Sequence, residues 1–143
     1  MTNLQAALGV AQLERLDEFV ARKRRMGQRY TELLAGVFGL QLPLPRVAYA
    51  ENIYWVYGVV LRDGASCDAK TAMTRLSQKG VGTRPFFWPM HQQPVFKKMG
   101  LFAEESCPVA ERIARRGFYI PSGLALTENQ ITRVAWTLRK VLQ

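Results

Sequence analysis

The sequence has few of the residues on which common catalytic and metal sites depend. It contains one histidine and two cysteines in 143 residues, which excludes a histidine-rich metal site. No Ser-His-Asp or Cys-His pair is indicated by spacing, and the glycine-rich phosphate-loop and dinucleotide-binding motifs are absent. Every lysine falls on a predicted polar helix face or turn, so none is predicted to form an imine. These absences favour a binding or assembly domain over a complete catalyst.

Long apolar runs are absent as well. No stretch approaches the roughly 18 residues that a membrane-spanning helix requires. The N-terminal segment also lacks the basic region that precedes the apolar part of a secretory signal. The two cysteines, Cys67 and Cys107, have neither metal-site nor disulfide-framework spacing. We therefore expect no membrane contact and a reducing, cytoplasmic location.

Acidic residues are scarce beside basic ones. The chain has 20 lysines and arginines against 11 acidic residues, for a net charge of +9. Such an excess is typical of nucleic-acid-binding proteins. The basic residues are nevertheless scattered, and no helix-turn-helix, zinc-finger or aromatic RNA-binding pattern is present. Anionic small molecules or an acidic partner domain would suit the charge equally well.

The chain begins with a helical pattern. Thr2 and Gln5 form a helix-start motif, and an apolar stripe with helical spacing continues to about Ala35. At 1.5 Å per residue this is a rod of roughly 50 Å, whereas a compact globule of this chain length is less than about 40 Å across. We therefore divide the chain into a long connecting helix, residues 1–36, and a small domain, residues 37–143.

The first half of this helix is small and apolar and should extend beyond the domain. Such a surface needs a partner, so we expect another domain or a second subunit to cover it. The alternative is a helix that bends or breaks at Gly9 or Gly27 and packs on itself. A chain that begins on a helix cap is also expected to belong to a longer protein.

The remaining chain alternates between strands and helices. The predicted elements are strands at Asn52–Leu61, Val81–Phe86 and Phe118–Pro121, a helix at Asp68–Lys79, a short helical turn within Val95–Phe102, a helix from Pro108 with Val109, Ala110, Ile113 and Ala114 on its inner face, and a final helix from Thr127. The first strand should be central because it is apolar on both faces, and the last should lie near an edge because it ends in proline. The predicted fold class is α+β, with a three- or four-stranded sheet and helices packed on one face.

Residues 80–96 form the candidate functional segment. Their sequence, G-V-G-T-R-P-F-F-W-P-M-H-Q-Q-P-V-F, carries the only histidine and three prolines within ten residues, which exclude a helix or a central strand. A stiff aromatic loop of this kind can present His91, Arg84 and Trp88 to a ligand. The alternatives are that the aromatic residues fill the core, that His91 is a surface residue, and that Arg84 pairs with a surface carboxylate.

Four stretches carry a resemblance that covers nearly the whole chain. They are M-T-N-L-Q-A-A-L-G-V-A-Q-L-E-R-L-D-E-F-V-A-R-K-R, then Y-W-V-Y-G-V-V-L, then the segment 80–96, and finally C-P-V-A-E-R-I-A-R-R-G-F-Y-I-P-S-G-L-A-L-T-E-N-Q-I. In this order they resemble the C-terminal part of the DegT/DnrJ/EryC1/StrS family of sugar aminotransferases, which depend on pyridoxal phosphate. Within that family the character is perosamine-synthetase-like.

The resemblance implies a fold, a reaction and an assembly. The chain would be the small C-terminal domain of the aspartate-aminotransferase fold, type I, together with its connecting helix. The parent enzyme would be a dimer that transfers an amino group from an amino acid such as glutamate to a keto sugar attached to a nucleotide. The large N-terminal domain, which holds the cofactor and its Schiff-base lysine, is expected outside this chain. The chain alone should therefore be inactive and bind no pyridoxal phosphate.

The resemblance also suggests roles for the candidate residues. His91 matches the histidine of the family's P-L-H loop, although Met90 replaces the usual leucine, and is expected to donate a hydrogen bond to the sugar nucleotide. Arg84 would pair with an anionic group of the substrate. Phe86, Phe87 and Trp88 would anchor the loop, and one of them, assigned as Trp88, would line the sugar pocket. No catalytic or metal-binding residue is assigned. The competing hypothesis is a free-standing basic module that binds nucleic acid or protein through its first helix, although nucleic acid is not the expected partner.

Overall fold

A computed structural model describes all residues, 1–143, as an α+β fold. The helices are α1 (Asn3–Leu13), α2 (Leu16–Leu34), α3 (Ala69–Gln78), α4 (Pro94–Lys98), α5 (Pro108–Arg116) and α6 (Glu128–Leu142), with a 3-10 turn at Met90–Gln92. The strands are β1 (Leu40–Gln41), β2 (Arg46–Val47), β3 (Ala50–Glu51), β4 (Tyr57–Leu61), β5 (Arg84–Pro85) and β6 (Gly117–Ile120). An antiparallel four-stranded sheet has the order β1-β4-β6-β5, and β2 and β3 form a separate hairpin.

The N-terminal helical run is present, but it is divided into α1 and α2. Thr2 caps α1, and its side chain and that of Gln5 bond each other's backbone amides, as predicted. The break lies at Glu14 and Arg15, not at a glycine. The amide of Arg15 bonds the carbonyl of Gln12 instead of continuing the helical ladder. Because α1 has no buried residue, no packing forces the two helices into one straight rod.

The first helix is exposed along its apolar stripe. Leu4, Leu8 and Leu13 are 73%, 62% and 69% exposed, and no residue of α1 is buried. This exposure agrees with the predicted overhang of the first half of the helical run, which stays a prediction. In contrast, α2 buries Met26, Tyr30 and Leu34 against the sheet and α6.

The best predicted strand is central and buried, but it is shorter than expected. Residues Tyr57 to Leu61 form β4, between β1 and β6, whereas residues 52–56 are a loop. The side chain of Asn52 accepts a hydrogen bond from the amide of Tyr54 at 2.7 Å, and Tyr54 has a positive φ of 52°. This local turn removes the chain from the extended conformation.

The last strand was predicted near an edge, and this is wrong. Strand β6 pairs with β4 on one side and β5 on the other. Pro121 follows the final strand residue, Ile120, so its missing amide removes no bond from the ladder. Leu40 and Gln41, which lie outside the predicted strands, form the edge strand β1.

The two faces of the sheet are covered differently. Tyr57, Val59 and Leu61 of β4 and Phe118 and Ile120 of β6 join one core with α2, α3 and α6. Each large side chain buried in this way contributes roughly 1.5–3 kcal/mol. The final helix begins after Thr127, as predicted, and Thr127 caps it. Asp68 caps α3, which was not predicted. The buried face of α6 comprises Ile131, Val134, Ala135, Leu138, Val141 and Leu142.

On the opposite face of the sheet, which α5 also contacts, one aromatic ring packs over two glycines. A Cβ built on Gly58 would lie 2.5 Å from the ring of Phe86, and a Cβ built on Gly117 would lie 2.1 Å from it. The two glycines, on adjacent strands, therefore leave the space that Phe86 fills. The strand predicted at Val81–Phe86 shrinks to β5, because Val81 closes α3 by bonding the carbonyl of Leu76 and Pro85 has no amide to donate.

The inner face predicted for α5 is correct only in its second half. Val109 and Ala110 are exposed, whereas Ile113 is half-buried and Ala114 is buried. Contact with the sheet comes at the C-terminal end of the helix, where Arg116 donates to the carbonyl of Leu61 at 2.7 Å. The short helical turn predicted within 95–102 is present as α4. None of the helices is both long enough and apolar enough to cross a bilayer.

Candidate functional site

The proline-rich segment, residues 86–95, which includes the start of α4, is held by its own hydrogen bonds. Phe86 anchors its start on the two glycines of the sheet. The side-chain amide of Gln93 donates to the carbonyl of Trp88 at 3.2 Å. The backbone amide of Gln92 donates to the carbonyl of Pro89 at 3.0 Å. Prolines also fix φ along the segment, so its backbone has little conformational freedom.

His91 is held by a carboxylate that the sequence did not indicate. Its Nε2 lies 3.0 Å from Oε1 of Glu111 on α5, and the two side chains are only 11% and 19% exposed. Glu111 also accepts from the amide of Cys107 at 3.2 Å and from Arg115 at 3.2 Å. The hydrogen bond from His91, then that from Cys107, lowers the pKa of Glu111 below its ordinary value.

This pairing decides what His91 can offer a ligand. A carboxylate only accepts, so Nε2 carries the proton that the two groups share. The other ring nitrogen, Nδ1, accepts a hydrogen bond when the ring is neutral and donates one when it is protonated. The histidine lines a cleft of about 310 Å³ in which the charged neighbours are Lys97 and Glu105. The alternative of a free surface histidine does not describe this arrangement.

Arg84 lies in a different cleft. It is on β5 opposite Tyr119 and lines a space of about 850 Å³ bordered by polar residues of α3 and the end of β6, including Thr74, Ser77 and Ser122. Arg84 is exposed and forms no salt bridge. The alternative of a surface ion pair for Arg84 is therefore not realised in the structure.

The three predicted site residues do not share one pocket. His91 and Arg84 line separate clefts, and Trp88 lines neither of them. Trp88 is 46% exposed, so it does not fill the core, and neither does Phe87. Their roles toward a substrate stay predictions.

An aromatic row beside Arg84 was missed from the sequence. The rings of Trp55 and Phe87 are nearly parallel, 8° apart, with centroids separated by 6.5 Å. The ring of Phe87 in turn lies 6.2 Å from that of Tyr119, the residue opposite Arg84. Trp55 and Phe87 are 32 positions apart, and only the pairing of β4, β6 and β5 brings their loops together.

Helix α2 fixes the loops around this row. Lys23 donates to the carbonyl of Trp55 at 3.0 Å and to that of Ser122. Tyr30 donates to the carbonyl of Pro121 at 2.8 Å, and Arg22 donates to that of Leu124 at 2.6 Å. Burial lowers the pKa of Lys23. Side chains of α2 therefore hold both the loop before β4 and the loop after β6.

These contacts bear on the nucleic-acid hypothesis. That hypothesis depends on the basic residues of the N-terminal helical run, of which Arg22, Lys23, Arg24 and Arg25 are consecutive on α2. Arg22 and Lys23 bind backbone carbonyls, and Arg24 forms a 3.0 Å salt bridge with Glu51. Three of the four cations are thus engaged within the chain, which leaves little of this cluster for phosphates.

The lysines of this chain lie in environments that differ from the one an imine-forming lysine requires. Lys23 is occupied by two carbonyls, and the other five lysines are exposed. An imine-forming lysine requires a desolvated or otherwise activated amine. The lysines present therefore do not fit a Schiff base with pyridoxal phosphate in this chain.

Comparison with known proteins identifies similar chains. A family model described as the DegT/DnrJ/EryC1/StrS aminotransferase family matches residues 1–139. A GDP-perosamine synthase of Caulobacter vibrioides is 36% identical over 143 residues, which cover 99% of this chain and 38% of that protein. The aminotransferase TlmJ from Streptoalloteichus hindustanus is 31% identical with a TM-score of 0.82, over 96% of this chain and 35% of its own.

A third similar chain, from Streptococcus pneumoniae, is described as a sugar aminotransferase in its PLP form. It superposes with a TM-score of 0.88 over 99% of this chain and 36% of its own, and the two are 18% identical. At this identity the similarity shows only a shared fold. The present chain thus spans little more than a third of the length of the proteins that it matches.

Proposed function

Because the chain belongs to the DegT/DnrJ/EryC1/StrS aminotransferase family, we propose that it serves as the small domain of an enzyme that transfers an amino group to a sugar. The family depends on pyridoxal phosphate. In this proposal the amino donor is an amino acid such as glutamate, and the acceptor is a keto sugar attached to a nucleotide.

The proposal is carried by an agreement between two observations. The chain spans only part of its relatives' length, and its first helix is exposed. Nearly all of this chain matches aminotransferases, yet it spans little more than a third of their length. The helix α1 has no buried residue, which suits a surface covered by a further domain or a second subunit. The Schiff-base lysine would come from the remainder of the protein, so the chain by itself would be inactive.

The two clefts have separate roles in this proposal. His91, fixed by Glu111, contacts the sugar nucleotide through Nδ1. Arg84 binds an anionic group of the substrate, which its lack of an acidic partner favours. Trp88, whose position is held through its carbonyl, lines the sugar pocket. The enzyme works as a homodimer in the cytoplasm, a compartment that suits its two free thiols.

A split between the two half-reactions tests the roles of His91 and Arg84. In the full-length protein, His91→Gln should leave amino transfer from glutamate to the cofactor unchanged. Transfer to keto sugars linked to GDP, dTDP or UDP should lose roughly 10- to 150-fold in kcat/KM, as expected for a lost hydrogen bond to a charged group. Arg84→Gln should weaken at least one half-reaction, and Arg133→Gln, an exposed arginine on α6, is the matched control.

Either of two results would contradict these roles. One is an equal loss in both half-reactions for His91→Gln, which would indicate a structural effect. The other is wild-type kcat/KM for every sugar nucleotide accepted by the enzyme. An effect of Arg133→Gln as large as that of Arg84→Gln would show that only net charge matters.

A further inference from the structure

We propose that the ring pair Trp55 and Phe87 is the stacking site for the heteroaromatic base of a nucleotide. This inference rests on the proposed function, because the nucleotide is the one that carries the sugar. The two rings lie 8° from parallel with centroids 6.5 Å apart. They are 69% and 71% exposed, so the faces not turned toward each other are available to a flat ligand.

The backbones that carry these exposed rings are fixed. Trp55 follows Tyr54, which is buried and stacks on Tyr57 with centroids 5.8 Å apart. A Cβ on Gly27 would lie 2.3 Å from the ring of Tyr54, so α2 presses closely on this residue. The carbonyl of Trp55 itself accepts from Lys23.

The backbone of Phe87 is also fixed, by the residues on either side of it in the sequence. It lies between Phe86, whose ring fills the space above Gly58 and Gly117, and Trp88, whose carbonyl is bonded by Gln93. Two exposed rings on determined backbones form a preorganised surface, and a ligand that binds there loses little conformational entropy of the protein.

The surroundings favour a nucleotide over a neutral aromatic ligand. Phe87 lies beside Tyr119, and Tyr119 is the cross-strand partner of Arg84. Directly opposite residues of an antiparallel pair project from the same face of the sheet. The row therefore joins a flat aromatic surface to a cation with no acidic partner. A base could stack on the rings while its phosphates approach Arg84.

Stacking predicts recognition of the base without strong preference among bases. Every base has a π face, and stacking of one base on an aromatic side chain strengthens binding by roughly 5- to 150-fold. Selection among guanine, uracil and thymine would then depend on other groups. A protein segment that covers the rings is the competing occupant.

The indole N–H signals of the three tryptophans provide the test. In the ¹⁵N-labelled chain titrated with GDP, the Trp55 signal should shift and saturate. Trp136 is similarly exposed, at 61%, but its ring is approached by Lys140 at 5.5 Å and has no parallel aromatic partner. Its signal should stay unchanged. Inorganic pyrophosphate, which has no base, should leave Trp55 unmoved.

Two variants sharpen the test. Phe87→Leu keeps the apolar volume but removes the aromatic face, and should weaken GDP binding roughly tenfold. Trp136→Leu should leave binding unchanged. An unmoved Trp55 signal, an equal response to pyrophosphate, or undiminished binding in Phe87→Leu would overturn the inference. UDP should shift the Trp55 signal as GDP does, and a response confined to one base would also overturn it.

The outcome can be separated from that of the proposed function. Saturable stacking in a protein without aminotransferase activity would leave the nucleotide site standing and remove the proposed reaction. If the protein is an active aminotransferase but the Trp55 signal does not respond to nucleotides, the proposed reaction is supported and this nucleotide site is excluded.

Discussion

At the scale of single residues, the pair of His91 and Glu111 defines the chemistry of the loop. The sequence indicated the histidine because it is unique and lies among prolines. It did not indicate Glu111, which lies twenty positions later on a separate helix. Pro108 begins that helix, and the amide of Cys107 is free to bond the Glu111 carboxylate. The pairing thus depends on where α5 begins.

Replacing His91 by phenylalanine should raise the pKa of Glu111 toward its ordinary value. The hydrogen bond from His91 is the largest cause of the lowered pKa, and phenylalanine keeps a flat ring but cannot donate. The rise should be incomplete because Cys107 and Arg115 still act on the carboxylate. A ¹³C NMR titration of the glutamate carboxyl groups measures it. Arg115→Gln, which removes a smaller cause, should give a smaller rise.

The same shift predicts a direction for stability against pH. The folded-state pKa of Glu111 lies below the unfolded value, so the pairing stabilises the fold above the ordinary pKa of 4.5. That stabilisation is lost as the pH falls through the lower, folded-state value. As the pH is lowered from neutral into the acid range, the free energy of unfolding should therefore fall less for His91→Phe than for the wild type. Urea denaturation at a series of pH values measures this. A steeper acid loss in the variant would contradict this account.

At the scale of elements, the contact of Phe86 with two strands connects the sheet to the functional loop. Gly58 and Gly117 lie on adjacent strands, and neither has room for a Cβ beneath the ring. Glycine inside a strand is ordinarily unfavourable, so its presence at both positions has a packing reason. The ring in turn determines where residues 87–91 begin.

A double-mutant cycle measures this contact. Gly58→Ala should destabilise the protein by about 1–3 kcal/mol, because its Cβ would meet Phe86. In a Phe86→Ala background the same substitution should cost much less, since the obstructing ring is gone. Gly9→Ala, which meets nothing within 4 Å, is the control and should cost nothing. Additive effects of the two substitutions, measured by urea denaturation, would show that the ring does not rest on Gly58.

The elements also show what the sequence could and could not predict. The helices α3 and α6 were predicted correctly because their caps are local and their apolar faces meet one core. Strand β4 was predicted as central because its residues are apolar on both faces. The interior position of β6 depends on β5 pairing beyond it, and the ring pair of Trp55 and Phe87 depends on two distant loops. Neither leaves a local pattern in the sequence.

At the scale of the whole molecule, the chain has two unequal parts. Residues from α2 onward share one core, whereas α1 contributes no buried residue. Isolated helices of this length are marginal in water, so α1 gains little from its own propensity. A covering partner would supply the missing contacts, and the same partner would supply what the chain lacks for catalysis.

Substitution of Leu8 by glutamate should distinguish the chain from the full-length protein. In the chain alone Leu8 is 62% exposed, so the free energy of unfolding should change by no more than about 0.5 kcal/mol. In the full-length protein the new carboxylate would lie in a covered apolar contact and should cost more than about 2 kcal/mol. Leu13→Glu is expected to behave in the same way, and Trp136→Glu, on the opposite end of the chain, should be neutral in both. Equal, small effects of Leu8→Glu would indicate that nothing covers α1.

The most direct measurement of the central claim is a single turnover with glutamate. The full-length protein, loaded with pyridoxal phosphate and freed of excess cofactor, is mixed with glutamate, and the 2-oxoglutarate formed is quantified. We predict about one equivalent per cofactor site for the full-length protein and none for the 143-residue chain alone, and the result does not depend on which sugar is used. A full-length protein that retains no pyridoxal phosphate, or that retains it and forms no keto acid with glutamate or any other amino acid, would contradict the account.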